Sequence, residues 1–138
     1  MRKNPFSIKK KKDNPEHRIQ AEYFRILSLN EAEYPSLKFI HAIPNGGLRN
    51  VIVASKMKRE GVKRGVPDIF IPMCKIYKKD IVFCGCYLET KSETGTLTKE
   101  QKEFSTFLQS QNYIYKVCRS VDVLINATEI YLNITLKK

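Results

Sequence analysis

The residues best suited to chemistry in this chain are an aspartate, a glutamate and a lysine. Asp68 closes the segment Gly65-Val66-Pro67-Asp68, and Glu89-Thr90-Lys91 follows after two short stretches of β type. Alternate side chains of an extended strand share a face, so Glu89 and Lys91 point one way and Thr90 the other. Two carboxylates offer hard oxygen donors to a divalent cation. A neighbouring ammonium can position or help deprotonate an attacking water and offset the charge of a phosphate. Metal-dependent cleavage of a phosphodiester requires that combination. Taken alone, the same residue types also suit a surface Glu-Lys pair on an edge strand beside a turn aspartate.

The flanking elements decide how such residues are held. Pro67 to Pro72 and Ile81 to Glu89 are rich in β-branched and aromatic residues and bounded by Gly, Pro or charge, so they read as two strands of a hairpin. The connection from Lys75 to Asp80 is polar and basic. Upstream, Asn14 is an N-cap and Pro15 a first helical residue, opening a helix to about Leu29. Its apolar stripe is Ile19, Tyr23, Ile26 and Leu27, with Glu16 and Gln20 on the stripe's edge and Glu22 well away from it. Leu37 to Ile43 reads as a strand closing on Pro44-Asn45-Gly46-Gly47, where the glycines permit either a sharp turn or close approach to a phosphate. A helix from about Asn50 to Glu60 leads to the Gly65 turn. Thr98 caps a helix through Gln111, with Gln101 at its third position in a capping box. Tyr113 to Cys118 is a final strand and Val121 to Leu132 a closing helix. The expected class is α/β, a mixed sheet flanked by helices.

Glu16-His17-Arg18-Ile19-Gln20, Ile43 to Arg49, Gly61-Val62-Lys63, Gly65 to Asp68, Glu89-Thr90-Lys91 and Glu100-Gln101-Lys102 occur in an order that closely resembles the VRR-NUC (virus-type replication-repair nuclease) family of the PD-(D/E)XK superfamily. The resemblance runs from about Pro15 to Leu132 and is nearest to the stand-alone members of phages and bacteria. It implies a restriction-endonuclease-like core in which Asp68 and Glu89 hold Mg²⁺ or Mn²⁺, helped by the backbone carbonyl of Thr90 and, directly or through water, by Glu16. Gln20 supports that site, and Lys91 handles the nucleophilic water. It also gives Gln101 a part in orienting water or phosphate. Glu16 also suits the N-terminal end of the helix dipole without any catalytic part, and Gln101 a cap. The family further implies a homodimeric DNA endonuclease acting on branched DNA such as four-way (Holliday) junctions, in a DNA-repair role, since two symmetric cuts need two sites. A flap-, nick- or duplex-directed nuclease, an RNA-directed nuclease and a non-catalytic DNA-binding module are the other readings.

Charge agrees with a polyanionic partner. The 138 residues carry 25 Lys and Arg against 14 Asp and Glu, a formal net charge of +11. An acidic membrane surface is the competing partner. No apolar stretch approaches the ~20 residues of a membrane span, and Met1 to Asn14 has no apolar core for a signal peptide, so a cytoplasmic protein of a bacterium or phage-infected cell is expected. That segment, with Arg2, Lys3 and Lys9 to Lys12, reads as a basic arm preceding a nuclease domain over 15–138. Asn45, Arg49, Lys56, Lys58, Lys63 and Arg64 are the candidates for phosphate contacts. Cys74, Cys84, Cys86 and Cys118 lack zinc-site spacing and read as reduced, largely buried thiols, with Cys84 and Cys86 on the packing face of their strand.

Overall fold

A computed structural model describes residues 14–44 and 51–138. The basic arm, the two glycines of the first turn, Asn45 and Arg49 lie outside the described residues.

Helix α1 (Pro15–Asn30) starts where the sequence indicates: the Asn14 side chain accepts from the backbone N–H of Glu16 at 3.1 Å and of His17 at 3.4 Å. Its Tyr23, Ile26 and Leu27 are buried, and Ile19 packs against them. Asn30, also buried, ends the helix usefully. Its amide donates to the carbonyls of Ile26 and Lys137, and its oxygen accepts from Lys137 N–H, which ties the C-terminal tail to α1.

The strand expected from Leu37 to Ile43 is mostly something else. Pro35–Phe39 is a 3₁₀ turn followed by a two-residue strand β1 (His41–Ala42). Proline at the start favours the turn, and Leu37 and Ile40, three residues apart, are the two that become buried. A spacing of three suits the 3₁₀ helix and misfits a strand. Helix α2 (Val51–Arg59) follows, stopped at Gly61, whose φ of +92° and the 3.0 Å bond from Val62 N–H to the Met57 carbonyl form a left-handed C-terminal cap.

Strands β2 (Ile69–Ile71) and β5 (Gly85–Thr90) pair antiparallel with Ile69 opposite Leu88 and Ile71 opposite Cys86. The segment between them differs from the expected polar connection. It forms a separate two-stranded ribbon, β3 (Lys75–Tyr77) with β4 (Ile81–Phe83), turning through Lys78 at φ 55°. The chain re-enters the main sheet at Gly85, where a Cβ would lie 2.7 Å from the Phe70 ring and 3.0 Å from the Ile71 carbonyl. Face alternation is therefore broken between Cys84 and Cys86. Cys86 and Cys118 are buried as expected, whereas Cys74 and Cys84 are exposed, and all four are free thiols.

Helix α3 (Lys99–Ser110) carries the chain to β6 (Tyr113–Cys118), which pairs parallel with β5, and α4 (Val121–Leu132) closes the chain. The main sheet runs β1-β2-β5-β6, antiparallel except for its last pair. One face, with Ile69, Ile71, Cys86 and Leu88, packs under α1 and α4, which are joined by the buried Tyr23 to Thr128 hydroxyl bond of 2.8 Å. The opposite face carries Phe70, Tyr87 and Tyr113 in aromatic contact and is approached by α3. The mixed sheet between helices is the expected fold class.

Candidate active site

The antiparallel register that sets Ile69 opposite Leu88 continues one step to set Asp68 opposite Glu89, on the face approached by α3. Each of these side chains is held by a specific donor. Thr90 N–H donates to Asp68 Oδ2 at 2.8 Å, and Gln101 Nε2 donates to Glu89 Oε1 at 2.7 Å. The ammonium of Lys91 lies 3.9 Å from the same oxygen. Lys91 follows the last residue of β5 and keeps the strand's alternation because its N–H bonds the Cys118 carbonyl at 3.0 Å. Glu89 is 1% exposed and Lys91 9%.

Gln101 does two things at once. Its oxygen accepts from Thr98 N–H at 2.9 Å while Thr98 Oγ1 accepts from Gln101 N–H, completing the capping box, and its amide nitrogen is left to reach Glu89. Both readings of this residue hold geometrically. Gly65 brings this helix end against the Asp68 loop. At φ +85° it sits so close to α3 that a Cβ would lie 2.5 Å from the Glu100 carbonyl group and 2.9 Å from Gln101 N. Only glycine fits there.

Glu16 arrives from the start of α1 at the end of the sheet. Its Oε1 accepts from Ser92 N–H at 3.2 Å, fixing the loop that follows Lys91. Glu22 is turned away and paired with Arg25 at 2.6 and 2.8 Å, as the helix phase requires. Arg119, which the sequence does not single out, clamps that loop from the other side by donating to the carbonyls of Ser92, Glu93 and Gly95. No local pattern could mark it, since its partners lie 24 to 27 residues upstream.

The electrostatics are those of two acids forced together. Burial first, then the nearby Asp68 charge, pushes the Glu89 carboxyl up to about 8, and burial also raises Asp68. Protonation of Glu89 relieves the repulsion between the two carboxylates. Glu89 Oε2 is enclosed without a partner among the described residues. An all-oxygen pair that resists ionisation and leaves a buried acceptor unpaired fits a hard divalent cation, which supplies the missing positive charge. Asp68, Glu89 and Glu16 do not form a ready three-carboxylate cluster; among the described residues no group of three His, Cys, Asp or Glu does.

A cleft of ≈ 1520 Å³ opens over these groups, lined by Glu16, His17, Gln20, Asp68, Glu89, Lys91 and Gln101 together with Lys58, Lys63 and Arg64. Lys56 lies apart, 3.9 Å from Glu60. Among the described residues no helix is long and apolar enough to cross a membrane.

Comparison with known proteins bears on the family and the fold. The VRR-NUC domain profile matches residues 11–122. A solved structure of a "VRR_NUC domain protein" superposes with a TM-score of 0.68 at 24% identity, covering 89% of this chain and 92% of the other. No curated protein sequence matches.

Proposed function

The chain belongs to the VRR-NUC domain family, whose members are nucleases acting on DNA, and from that premise we propose that it is a Mg²⁺- or Mn²⁺-dependent endonuclease selective for branched DNA such as four-way junctions. The observation that carries the chemistry is the apposition of Asp68 and Glu89, both shielded and both held by named donors, with the Lys91 ammonium 3.9 Å from Glu89 Oε1.

Asp68 and Glu89 would hold the cation, with the Thr90 carbonyl beside them and Glu16 contributing through water, because its Oε1 is committed to Ser92 N–H. When bound, such a cation lowers the pKa of water and neutralises charge on the phosphate. The protein's own groups do the rest. Lys91 orients the nucleophilic water and offsets charge gathering on the phosphoryl oxygens. Gln101 and Thr90 N–H stop the two carboxyl groups from rotating away. Lys58, Lys63 and Arg64 steer and seat the phosphate backbone along the cleft.

Selectivity for branched substrates and a twofold dimer form one reading: a junction is resolved by two symmetric cuts, which paired sites supply. Matched linear duplex, flap and four-way-junction DNAs, incubated at fixed salt with Mg²⁺ and with chelator, test it. Metal-dependent, preferential cleavage of the junction is expected. Equal rates on duplex and junction would remove branch selectivity while leaving the chemistry in place.

A further inference from the structure

We infer that Tyr115 is a positioning residue for the Asp68–Glu89 pair, its hydroxyl donating to the pair's carboxylate oxygens, directly or through one water, in the cation-loaded site. This rests on the reading that the pair holds a divalent cation. β6 runs parallel to β5 with Tyr87 opposite Tyr115 and Glu89 opposite Val117, so Tyr115 stands diagonal to Glu89 on the face that bears both acids. Diagonal neighbours on one face are within the span of an aromatic side chain. The Tyr115 residue is only half-buried, yet its hydroxyl oxygen is sealed from solvent, so the polar end of the ring is its inner end.

Among the described residues that hydroxyl has no hydrogen-bond partner, and neither has Glu89 Oε2. A buried phenol normally finds an acceptor, because leaving the donor unmade is costly. An ionised carboxylate can only accept. Thr90 N–H donates to Asp68 Oδ2 and Gln101 to Glu89 Oε1, the oxygen that the Lys91 ammonium faces as an ion pair at 3.9 Å. Among the described residues, Glu89 Oε2 and the Tyr115 hydroxyl are the enclosed acceptor and the enclosed donor left unpaired on this face. The third enclosed orphan, Thr90 Oγ1, belongs to the opposite face with Leu88. In support, the phenol is raised well above its ordinary value by burial and then by the charges of Glu89 and Asp68. Packing alone would be met by phenylalanine, as it is at Phe70 on the same face of the sheet.

Tyr115→Phe removes the hydroxyl and keeps the ring. The expected result is a fall in kcat of about tenfold or more with KM for DNA unchanged, and a several-fold rise in the Mg²⁺ concentration needed for half-maximal rate, the size seen when a group behind a metal ligand is lost. Without DNA, the variant in chelator should melt at or above the wild-type temperature, and the upward shift produced by Mn²⁺ should shrink. A kcat within twofold of wild type together with an undiminished Mn²⁺ shift overturns the proposal. A wild-type protein that shows no Mn²⁺ shift and no cation-dependent cleavage sinks the cation reading itself, and the role of Tyr115 with it, before any variant is compared.

Discussion

Glu89→Gln should make the metal-free protein more stable while destroying its activity. In the fold this carboxyl is displaced from 4.5 to about 8 by burial and by Asp68. At about 1.4 kcal/mol per tenfold change, holding it ionised costs on the order of 5 kcal/mol once pH exceeds both values. The sign follows from the raised pKa: the folded state binds this proton more tightly, so the penalty is absent below about 4.5, grows as pH climbs towards 8, and is constant above. An amide at this position keeps an acceptor for Gln101 and presents a donor to Asp68, turning a carboxyl clash into a hydrogen bond. Since the amide is itself buried, recovery of somewhat under half the penalty is reasonable, roughly 2 kcal/mol or 5–10 °C in Tm for a domain of this size. Thermal unfolding in chelator at about pH 5 and about pH 8.5 measures it. The advantage should be small at the lower pH and full at the higher. A variant no more stable than wild type at about pH 8.5, or equally advantaged at both, would refute the reasoning.

Other substitutions separate the remaining parts. Glu16→Gln should lower the cleavage rate and weaken the Mg²⁺ dependence far more than Glu22→Gln, in initial-rate assays against metal concentration, because Glu16 reaches the site and Glu22 is paired with Arg25 at the surface. Gly65→Ala should cost more than about 1 kcal/mol in urea unfolding, since it combines a φ of +85° with a contact of 2.5 Å to the Glu100 carbonyl group. Lys63→Ala should weaken DNA binding of all sequences alike and reduce the slope of log K against log salt by about one, by fluorescence anisotropy.

Most of the candidate site was legible in the sequence because its placement depends on local periodicity. Alternation put Glu89 and Lys91 on one face, helical phase turned Glu16 inward and Glu22 outward, and the Thr98-to-Gln101 spacing announced the capping box. What escaped depends on contacts distant in the chain. The ribbon of β3 and β4 leaves the sheet where Gly85 lies against the Phe70 ring, so Cys84 loses the buried position its alternation implied. Leu37 to Ile43 reads as a strand in the sequence, although the spacing of three between Leu37 and Ile40 favours the 3₁₀ turn that Pro35 begins. Arg119 and Tyr115 carry no local signature, because one is defined by carbonyls of a remote loop and the other by a diagonal across a parallel strand pair.

Cleavage by the wild-type protein, Asp68→Ala and Glu89→Ala, each with Mg²⁺ and with chelator, alongside DNA binding by all three, tests the central claim most directly. Wild type should cut only with the cation, and each variant should lose on the order of a hundredfold or more in rate while binding DNA about as well, since a cation ligand is removed and no phosphate contact is. Cleavage within threefold of wild type in either variant, or undiminished cleavage in chelator, would contradict the account.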